Sequence, residues 1–289
     1  MLSPYTVEVA VLLVITLMYA IFDVFNKRNI PDLVVYGTII IGIIIAIVYN
    51  FSTLWLDFEM AIAIGLVGFV IYRAGFLGAG DVLELVFISL VLPIQGAPSY
   101  SGISQLGTPF IFSVIIGAGY TATIFIPLYY LFVKRIFSGR ALSTPSMKSA
   151  VLGMTLLIAY IIFTIVFTMI SSIGRTSIEL ILLLAFAAFF SLIFEKDIYT
   201  EMTMMVYPKE LEDGDMVALN LMNKSDIAYF KKRYSGFGRL TTSETMAALK
   251  NVKKKMPVYR DSVAFSLFIF LGVVISLAVG NLIFIVIGL

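Results

Sequence analysis

Neither cysteine nor histidine occurs among the 289 residues of the chain. The absence of cysteine excludes disulfide bonds, and the absence of both residues excludes zinc sites built from them. Nucleophilic pairs of the Ser-His or Cys-His type and proton relays through histidine are excluded as well. Any catalysis by this chain must therefore use carboxylates, lysines, tyrosines or hydroxyls.

Charge is also scarce, since only 13% of the residues are charged whereas 60% are hydrophobic and the mean hydropathy is +1.02. This composition is typical of a membrane protein, whose solvent is the lipid bilayer. The net charge of +2 is too small to indicate a nucleic acid partner. We therefore expect a polytopic membrane protein that binds no nucleic acid.

Apolar runs long enough to enter a bilayer recur along the chain, and helices are favoured there because a helix satisfies its own backbone hydrogen bonds in hydrocarbon. The first run is too long and too poor in basic residues at its start to be a removable signal peptide, so we expect it to remain. We predict an all-α fold with about eight transmembrane helices. Their expected ranges are residues 5–25, 31–49, 58–72, 82–92, 109–133, 150–170, 178–194 and 263–289.

Residues 195–262 interrupt this pattern and carry 12 of the 20 Lys and Arg residues and 10 of the 18 Asp and Glu residues. We expect a small soluble α+β segment here, with a β-hairpin formed by residues 202–207 and 216–221 and a capped helix over residues 243–250. The predicted organisation is a transmembrane core over 1–194, the soluble segment 195–262 and a last transmembrane helix over 263–289.

The short loops predict the orientation, because basic residues concentrate in cytoplasmic loops. If both termini lie outside, seven basic residues of the short loops fall inside and only Arg175 falls outside. The seven are Lys27, Arg28, Arg73, Lys134, Arg135, Arg140 and Lys148. This orientation makes segment 195–262 cytoplasmic in a multi-pass protein of the cell membrane, and it places Asp23 and Asp81 at the same inner depth.

Asp23 ends the first apolar run, and Asp81 follows a glycine-rich bend that starts at Gly75. Each acid alone has an ordinary explanation: Asp81 could be the N-cap of its helix, and Asp23 could be an interfacial acid compensated by Lys27 or Arg28. Together they could hydrolyse a peptide bond with no metal or cofactor, because two carboxylates sharing a proton can activate water and polarise a carbonyl. The glycines would let a substrate backbone approach or let the bend move.

The other acids outside segment 195–262 are explained by their positions. Glu84 shares a helix face with Asp81, so it could support the pair or be a simple interfacial acid. The remaining ones are expected at the outer interface or, for Asp32, at a helix N-terminus; they are Glu8, Asp32, Asp57, Glu59 and Glu179.

The residues Gly78-Ala79-Gly80-Asp81 resemble the GxGD signature of the type IV prepilin and preflagellin peptidases, a class of membrane aspartic proteases. Asp23, followed by Lys27, Arg28 and an Ile-Pro turn, is similar to the other half of their site. The resemblance implies catalytic Asp23 and Asp81, with Gly78, Ala79, Gly80, Glu84, Lys27 and Arg28 supporting the motif or binding substrate. The implied substrates are precursors with a short basic leader ahead of a hydrophobic helix, cut at the cytoplasmic face.

The chain departs from that family in places. Leu83 stands where many members have lysine, so a role for that lysine is not carried over. The absence of cysteine argues against the methyltransferase domain of the larger bacterial members. Presenilin-like GxGD proteases would need a Tyr-Asp pair, whereas Asp23 follows Phe22.

Two other functional classes remain open. A proton- or ion-coupled transporter would use Asp23 and Asp81 as ion-binding acids near the membrane. A non-enzymatic subunit of a pilus or secretion assembly would use segment 195–262 for docking and would tolerate Asp→Asn at both sites. For the peptidase reading, the acids Glu210, Glu212, Asp213 and Asp215 are candidates for recognising a basic leader.

Overall fold

A computed structural model describes residues 4–26, 30–92, 109–170, 175–261, 263–280 and 282. Helices dominate it, which confirms the helical membrane class. The helices of the apolar part are α1 (Pro4–Phe25), α2 (Asp32–Tyr49), α3 (Leu54–Arg73), α4 (Ala79–Val91), α5 (Phe110–Pro127), α6 (Met147–Ile170), α7 (Arg175–Ile193) and, near the C-terminus, α11 (Phe265–Val279).

Five helices in the described part of the chain are long and apolar enough to cross a bilayer: α1, α2, α3, α5 with its continuation to Ile136, and α6. A sixth is counted if α7 and the following helix α8 (Glu195–Glu201), which meet at a bend of 76°, form one span. The predicted count of eight is therefore not confirmed. The 13 residues of α4 extend only about 20 Å, less than the roughly 30 Å hydrocarbon layer.

The short helix α4 forms the centre of the bundle rather than a lipid-facing span. It contacts α1, α2, α3, α5 and α11, and most of its side chains are buried. Helix α3 packs closely on it, because a Cβ atom at Gly68 would lie 2.5 Å from Cγ1 of Val82. Helices α5 and α11 also cross closely at a glycine, because Gly272 lies against the backbone of α5. Close backbone approach at small residues is a common way for membrane helices to pack.

Helix α5 continues without a break as a π-helix over Leu128–Ile136. The change occurs at Pro127, which lacks the N–H needed for the regular hydrogen bond of an α-helix. The extension brings Tyr130 to segment 195–262, where its hydroxyl donates to the carbonyl oxygen of Asp261 at 2.6 Å.

The charged segment contains α8, β1 (Met204–Val206), α9 (Lys224–Arg233), α10 (Ser243–Leu249) and β2 (Met256–Val258), with 3₁₀ turns at Pro208–Glu210 and Leu219–Leu221. It has an apolar core of its own, which includes Phe230, Leu249 and Met256. The predicted helix is present as α10, with Thr242 as its N-cap.

The predicted hairpin is wrong. Strand β1 pairs antiparallel with β2, about fifty positions further along the chain, whereas Met216 and Val217 form only isolated bridges to Leu240 and Val258. Arg260 explains the difference in part, because its guanidinium binds the turn between the two predicted strands through Asp215 at 2.6 Å and the carbonyl oxygen of Glu210. The run after this turn hydrogen-bonds to β2 and the residue after it, since the N–H of Ala218 donates to the carbonyl oxygen of Pro257 and the N–H of Tyr259 donates to that of Met216, both at 2.9 Å.

Candidate active site

Asp23 lies in the last turns of α1 and is only 7% exposed. Its Oδ2 accepts a hydrogen bond from the backbone N–H of Ser266 at 3.2 Å. Ser266 is the second residue of α11, where backbone N–H groups have no partner within the helix. Asp23 therefore caps the N-terminus of α11 from another helix, a place where the helix dipole favours a negative charge.

Asp81 lies in the first turn of α4 and is 8% exposed. Its Oδ2 accepts a hydrogen bond from the backbone N–H of Gly78 at 3.0 Å. The N-cap of α4 is Gly78, so the alternative that Asp81 itself is the N-cap is wrong; Asp81 is the third helical residue and bonds back to the cap. Like Asp23, it sits at the positive end of a helix dipole.

Ser266 links the two acids. Its side-chain Oγ–H donates to Oδ1 of Asp81 at 2.9 Å, while its backbone N–H donates to Asp23. One serine residue therefore donates a hydrogen bond to each of the two predicted carboxylates. The structure brings together Asp23 and Asp81, which are 58 positions apart in the sequence.

Ser266 was not identified from the sequence. The only signal is a hydroxyl residue in the first turn of an otherwise apolar last helix, and such serines are common at helix starts. Its importance comes from its contacts with α1 and α4, which lie 243 and 185 positions away along the chain.

The glycines of the motif allow close contacts near Asp81. A Cβ atom at Gly78 would lie 3.0 Å from Oδ2 of Asp81, and a Cβ at Gly80 would lie 2.9 Å from Cδ1 of Ile30. Only Gly75, at the start of the bend, has the left-handed backbone with φ of 72° that favours glycine. Ala79, between the two motif glycines, is exposed.

Glu84 lies one turn after Asp81 on the same face of α4 and is fully buried. Neither carboxylate oxygen has a hydrogen-bond partner in the described part of the structure. Its nearest acidic neighbours are Asp81 and Asp23, whose charges act on it. A buried polar group without a partner costs about 1–3 kcal/mol, and more when it is charged, so this side chain requires an explanation.

Lys27 and Arg28, the predicted basic supports of the site, lie outside the described residues. Ile30, the first described residue after them, packs against the start of α4 at Gly80.

Segment 195–262 contacts the glycine-rich bend through Arg239. Its guanidinium lies 4.5 Å from the ring centre of Phe76 and its side chain packs on Gly75. The same guanidinium lies 5.9 Å from the ring of Tyr259, the residue after β2. The pKa of the half-buried Tyr259 hydroxyl is raised, mainly because burial disfavours its charged form.

The acids suggested for leader recognition are partly engaged within the protein. Asp215 and Glu212 pair with Arg260 at 2.6 and 3.6 Å, and a carboxylate oxygen of Glu210 accepts the N–H of Tyr207. These contacts leave less negative charge for a basic leader than the sequence indicates.

Comparisons of the chain with family models, with curated proteins and with solved structures found no significant match. The resemblance to the prepilin and preflagellin peptidases therefore depends on the two motifs, and the family remains a prediction.

Proposed function

We propose that this protein is a membrane aspartic endopeptidase that removes short basic leaders from prepilin-like or preflagellin-like precursors, using Asp23 and Asp81 to activate water. The observation that carries the proposal is the joint contact of the two carboxylates with Ser266 at the end of the bundle. Two acids so placed can share one proton, so that one takes a proton from water while the other donates to the scissile carbonyl.

The electrostatic surroundings support this use. Each carboxylate lies at the N-terminus of a helix, which stabilises negative charge, and each is largely removed from bulk water. Low exposure strengthens the interaction between the acids and a reacting water molecule. A substrate must therefore displace part of the covering structure, and the bend before α4 and the start of α11 both border the acids.

With α4 and α11 taken as crossings inside the bundle, the charge distribution of the loops supports a cytoplasmic site, with both termini outside and residues 195–262 inside. A precursor held in the membrane by its hydrophobic helix would present the bond before that helix at the same depth as Asp23 and Asp81. In this arrangement the leader remains in the cytoplasm, next to segment 195–262.

The test is cleavage of a purified precursor with a basic leader and a hydrophobic helix, followed by mass spectrometry. We expect Asp23→Asn and Asp81→Asn each to lower the rate by at least about 10²-fold, because each removes one partner of the acid–base pair. Glu59→Gln is the matched control, since Glu59 is an exposed acid of α3 and its loss should leave the rate unchanged.

Wild-type rates in both aspartate variants would refute the dyad and favour a non-enzymatic membrane subunit. A proton- or ion-coupled carrier is the second candidate, favoured by the fully buried Glu84 beside two other acids. A carrier would move protons across vesicles containing the protein and would not cleave the precursor.

A further inference from the structure

Glu84 is the one acid near Asp81 whose role the dyad does not explain. Two water molecules or two good donors would be needed to satisfy its carboxyl group, yet both oxygens are without a hydrogen-bond partner among the described residues. A leucine would fill this buried position at lower cost. The side chain therefore has a use that this arrangement of the site does not show.

The donors around Glu84 are few. The Tyr19 hydroxyl, on the neighbouring face of α1, is engaged with the hydroxyl of Thr38 at 2.7 Å. Asp81 and Asp23 are acids themselves, and no lysine or arginine of the described chain forms an ion pair with Glu84. The remaining donor is the hydroxyl of Ser266, which lies beside Glu84 but meets hydrogen-bond geometry only with Asp81.

This contact of Ser266 competes with the reacting water for Asp81. An attacking water must donate to an aspartate oxygen; each carboxylate oxygen can accept two hydrogen bonds, and the Ser266 hydroxyl takes one of the two acceptor positions of Asp81 Oδ1. A serine hydroxyl can turn between staggered positions about one bond, whereas its backbone N–H cannot. Turning from Asp81 to Glu84 would release the Asp81 oxygen and at the same time give Glu84 its missing partner.

We propose that Glu84 is a positioning residue of the active site: it accepts the hydroxyl of Ser266 when substrate and water occupy the dyad, and so leaves both acceptor positions of Asp81 Oδ1 to the reacting water. The inference rests on the proposed peptidase function and adds a role for two residues that do not touch the scissile bond. The Ser266 N–H stays on Asp23 in both arrangements.

The experiment is steady-state cleavage by Glu84→Leu, Glu84→Gln, Ser266→Ala and the Glu84→Leu/Ser266→Ala double variant. Glu84→Leu should lower kcat by about tenfold or more with little change in KM, because the serine then stays on Asp81. Glu84→Gln should retain most of the rate, since its amide oxygen still accepts the hydroxyl. In the Ser266→Ala background, Glu84→Leu should cause little further loss.

Thermal unfolding in detergent separates positioning from a structural role. The Glu84→Leu variant should unfold at the wild-type temperature or above it, because an unsatisfied buried group has been removed. Its cleavage of the precursor should nevertheless be slower than that of the wild type. Wild-type kcat in Glu84→Leu, or losses that multiply in the double variant, would overturn the inference while Asp23→Asn and Asp81→Asn remain inactive. If the aspartate variants cleave normally, the proposed function fails and the role of Glu84 fails with it.

Discussion

At the scale of single residues, the site depends on close contacts around the carboxylate of Asp81. The carboxylate of Asp81 is held from both sides, by the N–H of Gly78 and by the hydroxyl of Ser266. The backbone of Gly78 has an extended conformation that any residue can adopt, so its lack of a side chain is required only by the distance to Asp81. A Cβ atom at this position would therefore press on the carboxylate of Asp81.

Gly78→Ala should therefore slow precursor cleavage, by up to about 10²-fold if the carboxylate is displaced by an ångström. The added Cβ would sit 3.0 Å from Oδ2 of Asp81. Ala79→Ser is the control, because Ala79 is the exposed neighbour and should tolerate a hydroxyl. Cleavage by Gly78→Ala at the rate of Ala79→Ser would show that the glycine has no steric role.

At the scale of elements, α11 positions the site because its first turn carries Ser266. Its position is determined by its close crossing with α5, where a Cβ at Gly272 would lie 2.5 Å from the carbonyl oxygen of Val114 and 2.7 Å from the N atom of Ala118. Hydroxyl contacts further along, such as Ser113 to Ser276 at 3.0 Å, strengthen the same pair of helices. Backbone atoms cannot move aside as a flexible side chain can.

Gly272→Ala should accordingly lower the stability of the protein by about 1–3 kcal/mol, the usual cost of overpacking. The matched control is Gly119→Ala in α5, where no atom lies within 4 Å of the added Cβ and helix propensity favours alanine by up to about 1 kcal/mol. Thermal unfolding in the same detergent gives the melting temperatures of both variants. Equal melting temperatures for the two variants would contradict the close crossing.

At the scale of the whole molecule, segment 195–262 is attached to the apolar bundle by a largely buried ionic cluster. Arg135, at the end of the π-helix, binds Asp197 and Glu201 of α8, each at 3.1 Å, and Arg140 binds Glu201 at 2.9 Å. The carboxylates of Asp197 and Glu201 are almost completely buried. An unpaired charge at such a position is strongly destabilising.

Arg135→Met should destabilise the protein by about 3–5 kcal/mol, because it leaves the buried Asp197 without its cation. Arg175→Met should cost about 0.5 kcal/mol at most, since the Arg175–Glu179 pair on α7 is exposed to solvent. Chemical unfolding in mixed micelles compares the two. A similar loss for both variants would mean that the cluster of Arg135 contributes no more than a surface pair.

The membrane class, the approximate helix positions and the two acids were predictable from the sequence, because hydropathy and the spacing of glycines and acids are local properties of the chain. The charge bias of the loops likewise predicts that Asp23 and Asp81 share one depth. Local patterns failed where partners are distant: strand β1 pairs with β2 rather than with the nearer apolar run. They also predicted eight spans, a count that is not confirmed, because a short buried helix such as α4 is as apolar as a lipid-facing one but has only 13 residues.

Only the tertiary structure decided what surrounds the acids. Ser266 joins Asp23 to Asp81 because the N-terminus of α11 has N–H groups without a partner inside the helix and lies against the end of α1 and the start of α4. No local sequence pattern predicts this contact between distant helices. Glu84 was ambiguous in the sequence because its helical position suits an interfacial acid equally well. Its full burial beside the pair, with both oxygens unpartnered among the described residues, is a consequence of five helices packing around α4.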